Sequence, residues 1–140
     1  MKISVYEKFP DFAKEIRKTV FVDEQGFQDE FDETDNAAAH FVMFDEDETP
    51  VATCRVFWNE VMSAYALGRF AVVKKYRGKK IGSTLMKEVE KYVQKNGGKD
   101  IVLHAQCRAA GFYEKSGFTE FGNIEEEQGC PHIWMKKTVG

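Results

Sequence analysis

Nine consecutive residues, Lys74-Lys75-Tyr76-Arg77-Gly78-Lys79-Lys80-Ile81-Gly82, carry five basic side chains and two glycines. They follow a strand-like run, Ala66 to Val73, and open a segment with helical periodicity. Backbone N–H groups in the first turn of a helix have no intrahelical acceptor, and the helix dipole adds roughly half a positive charge there. Lysines and an arginine at the same point add whole charges, in a chain whose formal net charge is -3. A strand, then a basic glycine-bearing turn, then a helix start is an order suited to holding a phosphorylated ligand.

Two common phosphate-binding signatures do not fit. The Walker form G-x-x-x-x-G-K-[ST] fails because Gly78 and Gly82 lie one residue too close and Ser83 follows in place of lysine. The dinucleotide fingerprint G-x-G-x-x-G is absent. What fits is a pyrophosphate-binding turn of the form R-x-x-G-x-G, running from Arg77 to Gly82, with Lys80 standing where the first glycine of that form would be. If that position needs a positive φ, a lysine there costs on the order of 1–2 kcal/mol. Either the turn keeps to ordinary backbone space, or the strain is offset by a contact of Lys80 with phosphate.

On this turn and two further segments the chain resembles the GNAT superfamily of acetyl-CoA-dependent N-acyltransferases. Leu67-Gly68-Arg69-Phe70-Ala71-Val72 is similar to the family's central strand. Gln106 to Phe118, with its Y-x-x-x-G-F ending at Tyr113, Gly117 and Phe118, is similar to its second cofactor segment. The resemblance covers residues 40–120. Val20 to Gln25 and Gly129 to Lys136 resemble a small bacterial subgroup of uncharacterised members. The resemblance implies an α/β fold: one domain over residues 1–140, a mixed central sheet of six to seven strands splayed at the cofactor site, and about four helices. It implies acetyl-CoA as co-substrate and a primary amine of a small molecule, or of a protein, as acceptor. It also implies that Arg77, Gly78, Lys79, Lys80, Ile81, Gly82 and Ser83 surround the pyrophosphate. Main-chain groups of Phe70, Ala71 and Val72 then serve the thioester and pantetheine, with Gln106 on the neighbouring strand.

Direct attack of an amine on a thioester has three needs: the amine loses a proton, the oxyanion is held, and the thiolate leaves. The family's sulfur-protonating tyrosine maps onto Tyr113. A phenol pKa near 10 and a thiol pKa near 8.5 are close enough for that transfer. The plainer alternative is a core aromatic beside Phe112. Two residues are candidates for the base: Glu24, at the end of the first helix, where relatives contact the acceptor, and His104, because imidazole as a residue type suits proton transfer near neutral pH. Strand alternation puts His104 with Val102 and Gln106, on the face opposite Leu103. A water relay, or no base at all, stays open. So does a second reading of the whole chain, a non-catalytic acyl-CoA-binding or interaction module. A fainter similarity of Val20 to Gln25 points to acyl-homoserine-lactone synthases, for which the chain is short.

Asp23, Glu24, Asp29, Glu30, Asp32, Glu33 and Asp35 place seven carboxylates in thirteen positions. They either draw a cationic amine by electrostatic focusing or form a solvated loop with capping aspartates. Cys54, Cys107 and Cys130 are odd in number and lack C-x-x-C spacing, which argues against disulfides and zinc and for a reducing cytoplasm.

The elements that position these residues follow from periodicity. Pro10 suits a helix start; Phe12, Ile16 and Val20 recur at helical spacing with Lys14, Glu15, Arg17 and Lys18 facing out, and Gly26 ends the run. Residues 28–36 read as loop or short helix. Phe41 to Phe44 and Val51 to Phe57 form a hairpin around Asp45 to Pro50, and Ala64 to Val73 is the next, central strand. Ile81, Leu85, Met86, Val89, Tyr92 and Val93 share one helix face, and Asn96-Gly97-Gly98 stops that helix. Ile101 to Ala105 is a strand, Ala109 to Ser116 a short helix, and Phe118 to Phe121 and His132 to Met135 are closing strands. At 140 residues and 43% hydrophobic content the chain suits one packed domain. No apolar run approaches the ~20 residues of a membrane helix, and Met1 to Glu7 reads as a first strand, not a signal peptide. A pI near 5.7, without an aromatic-interleaved basic face, argues against nucleic acid. Exposed edge strands make a homodimer the expectation.

Overall fold

The computed structural model describes residues 1–28 and 31–140. Asp29 and Glu30 of the acidic segment lie outside the described residues. Among the described residues, seven strands and three α-helices follow one another in the expected order. They are β1 (Lys2–Tyr6), α1 (Asp11–Arg17), β2 (Ala39–Phe44), β3 (Pro50–Asn59), β4 (Ala64–Val72), α2 (Ile81–Lys95), β5 (Asp100–Gln106), α3 (Ala110–Lys115), β6 (Thr119–Glu127) and β7 (Cys130–Thr138). Short 3-10 turns stand at Glu33–Asn36, Lys74–Tyr76 and Cys107–Ala109. The strands form one mixed sheet in the order β1-β2-β3-β4-β5-β7-β6. Packing divides the chain into two units, Met1–Phe57 with Leu67–Glu88, and Trp58–Ala66 with Val89–Gly140.

In the first unit α1 does not end where its α-helical bonding ends. Lys18–Glu24 continues it as a π-helical segment, with the Gln25 N–H donating to the Val20 carbonyl five residues back. The wider turn lets two adjacent side chains, Val20 and Phe21, both enter the core. There they meet Ala13, Ile16, Val42, Phe44 and Ala71. Gly26, at φ +80, ends the run as expected. Two side chains depart from the expected helix faces. Phe12 is exposed and only touches Phe44 edge-on at 5.2 Å, whereas Arg17, expected in solvent, is 1% exposed.

In the second unit β5 pairs antiparallel with β7, setting His104 opposite Trp134 and Gln106 opposite His132. The β6–β7 pairing continues both rows, with Phe121 opposite Trp134 and Glu125 opposite His132. These closing strands are longer than their apolar runs suggested, because β6 is exposed along its whole length and its outer half is glutamate-rich. The parallel register of β4 with β5 is Tyr65↔Ile101 and Ala66↔Val102, at the start of both strands. The stop after α2 requires glycine at Gly98. A Cβ there would stand 2.5 Å from the Val93 side chain and 2.6 Å from the Tyr65 ring.

Candidate active site

β4 carries a backbone irregularity where the sequence places the thioester strand. Arg69 has φ +51, a left-handed residue inside a strand, flanked by Gly68 and Phe70. Such a residue breaks the two-residue alternation and re-aims the peptide groups that follow. After β4 the chain makes the 3-10 turn Lys74–Tyr76 and then the basic turn. Tyr76 anchors that passage by donating its hydroxyl proton to Asp45 Oδ2 at 2.6 Å. The Asp45 Oδ1 atom in turn accepts the N–H groups of Asp47 and Thr49, so the hairpin turn between β2 and β3 is a rigid post.

Two left-handed residues shape the basic turn, Gly78 at φ +77 and Lys80 at φ +62. The lysine therefore does occupy the position that favours glycine. The first helical bond of α2 runs from the Thr84 N–H to the Lys80 carbonyl at 3.1 Å. The N–H groups of Ile81, Gly82 and Ser83 thus precede the helical ladder, at the positive end of the α2 dipole. Lys79 and Lys80 are exposed beside them. Lys80→Gly should raise stability by about 0.5–1 kcal/mol, the relief of left-handed strain less the extra freedom of glycine in the unfolded chain. If the Lys80 ammonium also serves phosphate, the same substitution weakens acetyl-CoA binding a few-fold. Thermal melts with and without acetyl-CoA read both signs, and unchanged or lower stability of the free protein would contradict the strain argument.

Two expected functional residues meet each other. Arg77 donates from its two terminal nitrogens to Glu24, at 2.6 and 2.9 Å, and from Nε to the Val72 carbonyl at 2.9 Å. The π-helical segment, the end of β4 and the basic turn are tied together by this one guanidinium. Both Glu24 oxygens are engaged, so proton uptake by Glu24 requires opening a bidentate pair.

The acidic segment is largely neutralised from within. Asp35, 2% exposed, accepts from Arg17 Nη1 and Nη2 at 2.7 and 3.0 Å and from Arg55 Nη1 at 3.0 Å. Asp32 accepts from Arg55 at 2.5 and 3.2 Å and from Arg69 Nη2 at 3.2 Å. Burial alone would raise the Asp35 carboxyl; the Arg17 pair, the Asp32 N–H and Arg55 overcome it and hold it down at about 2. The buried His40 ring stacks on Phe9 at 4.7 Å, and its Nε2 lies 2.8 Å from the Asp35 carbonyl oxygen. Burial lowers its pKa more than Asp35 restores it. With Glu24, Asp32 and Asp35 all paired to arginine, electrostatic focusing by this segment loses most of its described charge.

In the second unit His104 lies on β5 with its ring stacked on Trp134 at 4.6 Å and 5.0 Å from the His132 ring. Its Nε2 is 3.3 Å from Glu125 and its Nδ1 3.4 Å from Glu127, whose other oxygen is 3.4 Å from His132 Nε2. The 3.3 Å approach is not aligned as a hydrogen bond, and His104 Nε2 is buried without one. Gln106 accepts from Arg108 Nε at 2.7 Å through its side-chain oxygen. Tyr113 is buried on α3, its ring edge-on to Phe112 at 5.1 Å and to Phe118 at 6.0 Å.

Sequence reasoning did not single out Arg17, Arg55, Glu125 or Glu127, and it named Asp32 only within the acidic run and Arg69 only within the central strand. A signal existed for two of them. Arg17 falls four residues after Ala13 and four before Phe21, on the buried face, and Arg55 interrupts a strand otherwise rich in apolar residues. The others depend on strand register.

Comparison with known proteins shows the family and the fold. Residues 7–139 match the family model described as "Acetyltransferase (GNAT) domain". A Bacillus subtilis protein carrying an acetyltransferase name is 38% identical over 130 residues, 89% of this chain and 86% of its own. The crystal structure of a Lactobacillus plantarum protein assigned as an N-acetyltransferase superposes with a TM-score of 0.90 at 27% identity, over 99% of this chain and 97% of that one. An aminoglycoside 6'-N-acetyltransferase solved with coenzyme A shares the fold, with a TM-score of 0.78 at 18% identity over 99% and 97% of the two chains.

Proposed function

The chain belongs to the GNAT acetyltransferase family and is an N-acetyltransferase, and on that premise we propose that it transfers the acetyl group of acetyl-CoA directly to a primary amine of a small molecule or a protein. The observation that carries this reading is the turn from Arg77 to Ser83. Its backbone leaves three N–H groups at a helix start, framed by left-handed residues and lysines. The coenzyme A bound to a structural relative supports an acyl-CoA as the donor.

Acetyl-CoA supplies the acetyl group as a thioester. The chain's own groups do the rest. N–H groups from Ile81 to Ser83, with Gly78, Lys79 and Lys80, receive the pyrophosphate, while Arg77, held by Glu24 and the Val72 carbonyl, braces the turn and does not meet the phosphates as the sequence led one to expect. Main-chain groups of Phe70, Ala71 and Val72 hold the thioester carbonyl and pantetheine, with Gln106 on β5. The Tyr113 hydroxyl donates a proton to the departing sulfur. His104 takes the amine proton in preference to Glu24, because both Glu24 oxygens serve Arg77. The reading includes one domain over residues 1–140, a cytoplasmic setting, pairing of two copies, and no role for metal, membrane or nucleic acid. The three free cysteines support a reducing compartment. No helix among the described residues is long and apolar enough to cross a membrane.

The test is release of coenzyme A thiol from acetyl-CoA across a panel of polyamines, aminoglycosides, amino acids and lysine peptides. Release with at least one amine, dependent on the protein, is expected. Tight acetyl-CoA binding with no release by any amine would favour the non-catalytic module.

A further inference from the structure

Arg69 holds a conformation that a residue with a Cβ avoids, within a strand where neighbouring chains would normally enforce extended geometry. A left-handed residue of this kind persists only where its surroundings over-determine it. One of the ties on it is ionic. The Arg69 guanidinium reaches Asp32 Oδ2 at 3.2 Å, and the same carboxylate accepts two bonds from Arg55 on β3. Asp32 is itself fixed, since its N–H donates to Asp35 Oδ2 at 3.1 Å and Asp35 is clamped by buried Arg17. The side chain at the irregularity is therefore attached to a part of the first unit that has little freedom to move.

We propose that Arg69 is a positioning residue for acyl transfer. Its pair with Asp32 keeps residue 69 left-handed and so aims the main-chain groups of Phe70 to Val72, without the guanidinium touching the reacting atoms. This rests on the proposed function, in which those main-chain groups hold the thioester. The phosphate turn is a separate anchor, so the effect falls on turnover more than on cofactor affinity. A misaimed main-chain donor near a developing oxyanion lowers rate steeply for small displacements.

Two substitutions separate this role from the alternatives. R69A removes the tether and keeps a Cβ that disfavours the left-handed state. R69G removes the tether and lets the backbone adopt that state freely. Both leave the Asp32–Arg55 and Asp35–Arg17 pairs in place. R69A is expected to lower kcat about tenfold or more with acetyl-CoA affinity within about threefold, and R69G to recover most of that loss. Amide hydrogen exchange at Phe70 to Val72 gives a readout independent of turnover, faster in R69A and restored toward the parent in R69G. Equal losses in the two variants would overturn the proposal, because the guanidinium itself would then matter. So would no loss in R69A, or unchanged exchange in it. A parent protein that binds acetyl-CoA but releases no thiol with any amine would instead sink the functional reading, while the exchange data would still decide whether Arg69 sets the backbone.

Discussion

Tyr113→Phe is expected to lower turnover at least about tenfold while acetyl-CoA affinity stays within about threefold. The ring body is what packs: Tyr113 is 9% exposed and lies edge-on to Phe112 and Phe118. Phenylalanine fills the same space, so the fold should change little and the hydroxyl alone is tested. If that hydroxyl protonates the leaving sulfur, its loss falls on the chemical step and appears in kcat. Single-turnover measurement of thiol release reads that step directly. Equal rates in the two proteins would return Tyr113 to the role of a core aromatic and leave the sulfur to be protonated by another group or by water.

Asp35→Asn should lower unfolding free energy by about 3–5 kcal/mol, the effect of removing one partner of a buried ion pair. Arg17 is 1% exposed and bonded at both terminal nitrogens to Asp35, so the substitution leaves a desolvated guanidinium without its carboxylate. Acid should act on the same group. Its folded-state value of about 2 lies below the ordinary aspartate value of 3.8. Between those values the unfolded chain binds the proton and the folded chain does not. The stabilisation is therefore complete above about pH 4 and is lost as pH falls through about 2, an amount of about 2 kcal/mol. The asparagine effect is larger because it also disrupts the bidentate geometry. Urea titrations of parent and D35N between pH 2 and 7 test both statements. A variant as stable as the parent at pH 7, or a gap between them that does not narrow as pH falls toward 2, would contradict them.

Periodic segments were legible in the sequence because one physical signal dominated each. The α2 stripe, the Asp45 to Pro50 turn and the Gly26 stop follow from side-chain spacing and from glycine's freedom. The basic turn before α2 was legible because charge and glycine coincide at a helix start. The π-helical segment was not, because Val20 and Phe21 differ from an ordinary helical pair only in how both are buried. The outer half of β6 was not legible either, since an exposed glutamate-rich edge strand carries no alternation of apolar and polar residues. The arginine network escaped for a third reason. Arg17, Arg55 and Arg69 are far apart in sequence, and only helix face and strand position bring them onto Asp32 and Asp35. The same network explains why an acidic stretch that invited a steering role is mostly neutralised within the fold. The basic character of Glu24 was open from sequence for a related reason: its partner, Arg77, lies 53 residues away.

The most direct measurement is a calorimetric titration of acetyl-CoA into the parent protein and into Gly78→Asp. Aspartate tolerates the left-handed state better than most residues, and a Cβ at Gly78 meets no atom within 4 Å, so the variant should fold. Its carboxylate nevertheless adds a negative charge within the turn assigned to the pyrophosphate. Saturable heat at one site per chain, weakened at least about tenfold in the variant, is predicted. No heat from the parent at millimolar acetyl-CoA, or equal affinity in the two proteins, would contradict the assignment of the Arg77 to Ser83 turn as the cradle for the donor's phosphates.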